Sequence, residues 1–189
     1  MPRPDHFGFL APIYDRVIIT AIQAERLKAL LQLPVDGPLL DVGGGTGRVA
    51  QVLADQASHI VVLDESLGML RQAQEKRLPT ACARSEQLPF PDGAIPRILM
   101  VDAFHHLGDQ DHAVAELMRV LAPGGRMVIE ESNIEHGAVK LVALAERLAL
   151  MRSRFRTPRE VQRLFQATGS QVGISRDGPS FWVVVEKRR

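Results

Sequence analysis

The sequence is poor in cysteine and in large aromatic side chains. Cys82 is the one cysteine in 189 residues, which excludes an intrachain disulfide and a metal site built from several thiolates. Aromatic residues make up 5% of the chain and offer few platforms for stacking nucleic-acid bases. Lysine and arginine together number 23 against 22 acidic residues, so no excess charge attracts nucleic acid. We therefore expect no nucleic-acid partner.

Long apolar runs are absent as well. No stretch approaches the roughly 20 apolar residues of a membrane-spanning helix. The opening MPRPDHFGFLAPIYD lacks the apolar core of a signal peptide. These features predict a cytoplasmic protein without a membrane span. The proportions of hydrophobic residues, 46%, and of charged residues, 24%, are typical of a globular domain.

Short apolar runs alternate with amphipathic helical patterns along most of the chain. The runs predict buried strands at 38–42, 59–64, 80–83, 97–101 and 126–131. The helical patterns predict helices at 15–33, 48–57, 67–77, 112–121, about 135–152 and 157–169. A Gly/Pro turn between 171–175 and 181–186 predicts a terminal hairpin.

This alternation predicts an α/β fold with a doubly wound, mostly parallel, seven-stranded sheet and an antiparallel C-terminal hairpin. We expect a single domain, 1–189. Its parts would be an N-terminal lid and helix at 1–33, a cofactor-binding core at 38–131, and substrate-side helices with the hairpin at 132–189. Ligands of such sheets bind beyond the carboxyl ends of the strands, so the loops there should carry the chemistry.

A glycine-rich turn follows the first predicted strand, in LLDVGGGTGRVA at 39–50. Glycines such as Gly43 and Gly45 let the backbone approach a ligand closely. The dinucleotide fingerprint G-x-G-x-x-G fails when it starts at Gly43, but from Gly45 it is met in a permitted variant that ends at Ala50. Asp41 inside the strand is not part of that fingerprint and counts against a dinucleotide.

Asp64 ends the second predicted strand. A carboxylate at this place can accept two hydrogen bonds from a ribose diol, which nicotinamide and adenosyl cofactors both carry. The same residue could instead cap the following helix. Asp64 alone therefore does not separate the two cofactors.

Five motifs occur in an order known from one family. They are DVGGGTG, VVLDESLGML, SEQLPFPDG, AFHHLGD and LAPGGRMVI. The ordered set resembles the class I S-adenosylmethionine-dependent methyltransferases, and most of all the small-molecule branch with the ubiquinone/menaquinone C-methyltransferases. FGFLAPIYDR at 7–16 resembles the lid of that branch. The resemblance implies a Rossmann-like fold, S-adenosylmethionine as cofactor, and methyl transfer to a small molecule, with a quinone- or phenol-like ring as one acceptor.

The resemblance also implies roles for individual residues. Gly43 and Gly45 would pass beneath the methionine part of the cofactor. Asp41 would orient its amino group, and Asp64 would hold its ribose hydroxyls. The implied cofactor site comprises Asp41, Gly43, Gly44, Gly45, Asp64, Glu65, Met69, Ser85, Glu86 and Val101.

The loop after the fourth strand and the lid carry the candidates for proton transfer. The catalytic candidates are His105, His106 and Tyr14, and the alternative for the two histidines is a structural role in the loop. Two adjacent histidines without a second ligand cluster make a poor metal site, so we expect no metal. Tyr14 lies in the segment 6–16, which we expect to fold over the pocket; a static strap is the alternative.

Two departures from the family pattern leave other functions open. Arg84 stands where the family commonly has an acidic acceptor for the adenine amino group, and Ile95 and Pro96 replace a phenylalanine-aspartate pair. Relaxed motifs would suit a non-catalytic adenosyl-binding module, and the fold class would also suit an NAD-dependent oxidoreductase. Cys82, in a short apolar strand, is expected to be an inert core residue.

Overall fold

The computed structural model describes residues 21–137, 139–140 and 153–189. Tyr14, the segment 6–16 and most of the helix predicted at 135–152 lie outside these residues. No helix in the described ranges is both long enough and apolar enough to span a membrane.

Seven strands form one sheet in the described chain, as the sequence predicted. They are β1 Val35–Val42, β2 Ala57–Asp64, β3 Thr80–Cys82, β4 Ile95–Val101, β5 Leu121–Ser132, β6 Gln171–Asp177 and β7 Ser180–Glu186. Their spatial order is β3-β2-β1-β4-β5-β7-β6. The first five strands pair in parallel, and β7 is antiparallel to both β5 and β6. The carboxyl ends of the parallel strands therefore share one edge of the sheet.

Helices cover both faces of this sheet. They are α1 Ala21–Leu31, α2 Arg48–Val52, α3 Leu67–Glu75, α4 Gln110–Val120 and α5 Pro158–Gln166, with a 3₁₀ turn at Phe104–His106. Apolar residues of α1, α2 and α3 pack on one face, and those of α4 and α5 pack on the other. The two resulting cores confirm the doubly wound architecture.

Three helices begin at side-chain caps that the sequence carries. Ser66 accepts a hydrogen bond from the Met69 N–H at the start of α3, and Asp109 caps α4. Thr157 and Glu160 form a reciprocal capping box at the start of α5, with Pro158 at the first helical position. These caps fix where the loops at the carboxyl edge enter their helices.

Several predicted boundaries were wrong. The helix predicted at 48–57 ends at Val52, because residues from Ala57 onward already pair with β1. The strand predicted at 126–131 begins at Leu121, so the APGG sequence lies inside β5 rather than before it. Pro96 is the second residue of β4, where the pairing with β5 is irregular and a missing N–H is tolerated.

The expectation for Cys82 was also wrong, because the residue is exposed. It ends β3, a strand of three residues that is the outermost strand of the sheet among the described residues. Its thiol lies 3.8 Å from the backbone carbonyl oxygen of Glu65. A lone apolar run could not reveal that β3 is the edge strand.

Candidate active site

The glycine turn connects β1 to α2 at the carboxyl edge of the sheet. The Gly43 N–H donates to the Leu63 carbonyl at 2.7 Å, which ties the turn to β2. Gly43 and Gly45 have φ of +68° and +55°, the left-handed region that favours glycine. A Cβ atom on Gly43 would lie 2.6 Å from the Cβ of Ala103, and one on Gly44 would lie 2.6 Å from the Asp41 carboxyl carbon. The turn therefore needs glycine for its backbone and for its close packing.

Asp41 lies under this turn with only 1% of its surface exposed. Neither of its carboxylate oxygens has a hydrogen-bond partner among the described residues. The pKa of Asp41 is raised to about 7, with burial as the largest cause. The Arg48 guanidinium lowers this pKa, the Asp64 carboxylate raises it, and the Ala50 backbone N–H lowers it from beyond hydrogen-bonding geometry. A buried carboxylate without hydrogen bonds is costly to keep ionised, and a cationic or N–H donor ligand would relieve that cost.

Asp64 holds the turn at the end of β2. Its Oδ2 accepts the Gly45 N–H at 3.0 Å, and its Oδ1 accepts the Ser66 N–H at 2.8 Å. The carboxylate thus joins the glycine turn to the start of α3. Because each carboxylate oxygen can accept more than one hydrogen bond, these contacts are compatible with further donors such as ribose hydroxyls.

Met69, on the first turn of α3, is buried beside the glycine turn. Its sulfur would lie 3.7 Å from a Cβ atom placed on Gly45, so the two residues are neighbours. Met69 is thus a buried neighbour of the glycine turn, and its contact with a bound nucleoside stays a prediction.

Glu65, Ser85 and Glu86 form the outer border of this region together with Arg84. The Arg84 guanidinium lies 2.8 Å from Glu86 Oε1 and 4.0 Å from Glu65 Oε2, so the arginine bridges two of the predicted residues. Burial opposes ionisation of Glu86, but hydrogen bonds from the Asp109 N–H, its own N–H and Arg84 outweigh burial and lower its pKa. Ser85 is buried and Glu65 is exposed.

Val101, the last residue of β4, is half-buried. The loop that follows contains the 3₁₀ turn Phe104–His106. His105 is 3% exposed, and its Nδ1 lies 2.7 Å from Glu131 Oε1 at the end of β5. Its backbone N–H donates to Glu131 Oε2 at 2.9 Å. The pKa of His106 is lowered to about 4 by burial, the largest cause, and by nearby His105, while Asp102 acts to raise it. His106 is therefore neutral at neutral pH.

Glu131 is the site residue that the sequence reasoning missed. It lies in the apolar run RMVIEE, where a charged residue at the buried end of a strand is unusual. That signal alone could have marked Glu131, but its partner His105 is 26 residues away and becomes a neighbour only through the β4–β5 pairing.

One further group of potential ligand atoms lies here. Asp102, His105 and Glu131 each place one oxygen or nitrogen within 4.8 Å of the others. The shortest contact among them, 2.7 Å between the His105 ring and Glu131, is a mutual hydrogen bond. The arrangement of His105 and Glu131 is thus that of a hydrogen-bonded dyad.

Comparisons with known proteins give the family. Residues 40–129 match the methyltransferase-domain family. The chain is 37% identical over 139 residues to the demethylmenaquinone methyltransferase of Thermus thermophilus, a match that covers 66% of this chain and 63% of the relative. The chain spans about half the length of the curated relatives it matches, with 46% and 60% in two further demethylmenaquinone methyltransferases.

Solved structures share the fold. A chain of the complex between the Haloferax volcanii Trm112 methyltransferase activator and a methyltransferase superimposes with a TM-score of 0.82 at 18% identity, and the match covers 100% of both chains. The Haemonchus contortus phosphoethanolamine N-methyltransferase 2, in complex with S-adenosyl-L-methionine, gives 0.81 at 15% identity, over 96% of this chain and 57% of that one. The chain therefore carries a class I S-adenosylmethionine-dependent methyltransferase domain, whose cofactor is S-adenosylmethionine, and resembles the ubiquinone/menaquinone C-methyltransferases.

Proposed function

We propose that this protein transfers the methyl group of S-adenosylmethionine to a small molecule with a quinone- or phenol-like ring. The observation that carries the proposal is Asp41, a buried carboxylate without a hydrogen-bond partner among the described residues, beneath a turn whose glycines admit a ligand. The cofactor's methionine part presents an ammonium group, which is the kind of partner that such a carboxylate requires.

In this proposal the remaining predicted residues would contact the rest of the cofactor. Gly43, Gly44 and Gly45 would lie beneath its methionine part, and Asp64 would accept hydrogen bonds from its ribose hydroxyls while still holding the turn. The residues at the border would surround the adenosine and the transfer point; they are Glu65, Met69, Ser85, Glu86 and Val101. Arg84 cannot accept from the adenine amino group, so that contact would go to Glu86 or to a backbone carbonyl.

The protein's contribution to the reaction is alignment, a dry cavity and removal of a proton. The bound cofactor supplies a methyl group that its sulfonium already makes electrophilic. An acceptor with a phenolic O–H or an activated ring C–H must lose its proton, and His105, His106 and Tyr14 are the candidates for taking it. The pKa of His106, lowered to about 4 mainly by burial, makes this histidine a weaker base than an exposed imidazole.

The acceptor class is supported by the relatives. The demethylmenaquinone methyltransferase of Thermus thermophilus is 37% identical to this chain over 63% of its own length. The match to the Corynebacterium urealyticum enzyme covers 46% of that relative. We infer that the acceptor is a reduced ring of this chemical type, that the chain 1–189 acts as one domain in the cytoplasm, and that it has no nucleic-acid partner.

The test is methyl transfer from labelled S-adenosylmethionine to a panel of reduced naphthoquinols, benzoquinols and phenols. We expect label in at least one acceptor with the wild-type protein and a loss of about 10-fold or more with Asp64→Asn. Glu186→Gln, at the opposite edge of the sheet, is the matched control and should leave the rate unchanged. Cofactor binding without transfer to any acceptor would support a non-catalytic binding module instead, and tight binding of a reduced nicotinamide dinucleotide would support an oxidoreductase.

A further inference from the structure

We propose that Glu131 is a positioning residue that fixes the orientation and tautomer of His105, so that His105 takes the acceptor's proton at Nε2. This inference rests on the proposed function for the identity of the acceptor. The geometry that carries it is a buried carboxylate–imidazole dyad between the end of β5 and the 3₁₀ turn after β4.

The contacts of Glu131 determine which ring nitrogen of His105 carries the hydrogen. Glu131 Oε1 lies 2.7 Å from His105 Nδ1 and also accepts the Ser132 N–H at 2.8 Å. Glu131 Oε2 accepts the His105 backbone N–H at 2.9 Å. An ionised carboxylate has only acceptor atoms, so Nδ1 must be the donor. A neutral His105 therefore carries its lone pair on Nε2.

The ring is also held from its other side. The Phe155 ring stacks on His105 with 4.3 Å between centroids and 15° between planes. The Arg154 N–H donates to the His105 carbonyl at 2.7 Å, so the segment that leads into α5 fixes both the backbone and the ring. The side chains of His105 and Glu131 are 4% and 2% exposed, which strengthens their hydrogen bond by excluding water.

Other charged or titratable groups face the dyad. His106 lies on the same turn with its ring centroid 3.9 Å from that of His105, and its own Nδ1 lies 3.2 Å from the Ser153 hydroxyl. Asp102, in the loop after β4, accepts the Ser132 hydroxyl at 3.0 Å. Glu131 is the carboxylate that would balance a positive charge on the His105 ring.

The proposed proton step is balanced. The acceptor's O–H or C–H bond breaks, its electron pair stays on the acceptor, and the proton forms an N–H bond at Nε2 of His105. The imidazolium that results is paired with the Glu131 carboxylate, and the proton leaves to water after the product. Carboxylate partners play the same role for imidazoles in other active sites, where they hold the tautomer and stabilise the imidazolium.

The first experiment reads the tautomer without any reaction. Nitrogen-15 NMR of histidine-labelled, cofactor-free protein should show His105 as the Nδ1–H tautomer with a strongly downfield proton, assigned by its loss in His105→Asn. Glu131→Gln should move or remove this signal, since an amide cannot accept hydrogen bonds on both of its sides. A His105 signal of the Nε2–H tautomer in the wild-type protein would overturn the proposal.

The second experiment is a double-mutant cycle in the transfer assay. Glu131→Gln should lower kcat by about 10- to 100-fold, with the acceptor KM and the cofactor Kd within about twofold of wild type. Glu131→Asp, which keeps the carboxylate, should recover part of the loss. In a His105→Asn background Glu131→Gln should have no further effect, because Glu131 acts through His105.

Three outcomes of the second experiment would contradict the proposal. They are an undiminished effect of Glu131→Gln in the His105→Asn background, a loss confined to the cofactor Kd, and activity that a chelator abolishes and a divalent cation restores. If Glu131→Gln does not fold, the cycle is run with Glu131→Asp. A wild-type protein that binds cofactor but methylates no acceptor would contradict the proposed function instead. The NMR experiment would still test whether Glu131 fixes the tautomer of His105.

Discussion

The two edges of the sheet differ in one buried charged group, because the carboxyl edge holds a carboxylate without a described hydrogen-bond partner. At the amino edge, Arg126 pairs with Glu186 and also donates to the Leu30 carbonyl at 2.8 Å. Lys187 caps the carbonyls of Met118 and Leu121 at 2.6 and 2.7 Å. At the carboxyl edge, Asp41 is buried without a described partner.

This difference separates stability from function within one fold. Paired charges at the amino edge satisfy each other and the ends of neighbouring elements, so they contribute to holding the sheet together. The carboxyl edge keeps a carboxylate in a state that costs folding free energy, which the fold tolerates because the glycine turn and Asp64 are held by other contacts. Such an arrangement is expected where a ligand completes the hydrogen bonding.

The largest expected effect is that of Asp41→Asn. At pH 8, where the wild-type carboxyl is ionised, this change should weaken S-adenosylmethionine binding by about 10- to 100-fold, because a charge-assisted hydrogen bond is lost. It should also raise the free energy of unfolding, because the buried charge is removed. Calorimetric titration and chemical denaturation measure the two quantities. Weaker folding together with unchanged cofactor binding would show that Asp41 is a structural residue.

A smaller effect is expected from filling the glycine turn. Gly44→Ala would bring a methyl group to 2.6 Å from the Asp41 carboxyl carbon, and should weaken cofactor binding by about 10-fold as the turn shifts. Gly173→Ala on β6 is the matched control, since its Cβ would meet no atom within 4 Å. Equal effects of the two changes on cofactor affinity would contradict the special status of the turn.

The pKa of Asp41, raised by burial to about 7, predicts an opposite pH dependence for binding and for stability. Cofactor affinity should rise with pH up to about 7, by at most about 10-fold per pH unit, and then level off, because the ionised carboxylate binds the ammonium group. The folded state holds a proton that the unfolded chain has already released, so this group's contribution to stability should fall between about pH 4 and 7. Asp41→Asn should remove both dependences; a slope that persists in this variant would assign them to another group.

The smallest effect is expected at the amino edge. Glu186→Gln should lower the free energy of unfolding by at most about 1 kcal/mol, because Glu186 is 43% exposed and water screens its pair with Arg126. Cofactor affinity should stay within about twofold of wild type. A loss of cofactor binding here would mean that the two edges are energetically coupled and that the amino edge also serves cofactor binding.

Local signals in the sequence were enough for much of the fold. The alternation of apolar runs and helices predicted the seven-stranded sheet, and the capping residues of α5 predicted where that helix begins. The end of α2 and the start of β5 were wrong, because pairing with neighbouring strands decides both. The exposure of Cys82 depends on the position of β3 at the sheet edge, which local pattern does not contain.

The site could be predicted only where its residues lie at the ends of consecutive parallel strands. Asp41, the glycines and Asp64 follow consecutive strands, so their convergence at one edge is a consequence of the parallel topology. The Glu131–His105 dyad needs the register between β4 and β5, and the bridge from Arg84 to Glu65 and Glu86 needs the side-chain geometry. The roles assigned to these residues and to Tyr14 stay predictions.

The most direct test of the account is calorimetric titration of the cofactor-free protein with S-adenosylmethionine and with S-adenosylhomocysteine. We expect one site per chain in the wild-type protein and in Glu186→Gln, with affinity reduced about 10-fold or more in Asp64→Asn. Absence of binding at millimolar cofactor, or equal binding by wild type and Asp64→Asn, would contradict the claim that the carboxyl edge of this sheet holds the cofactor.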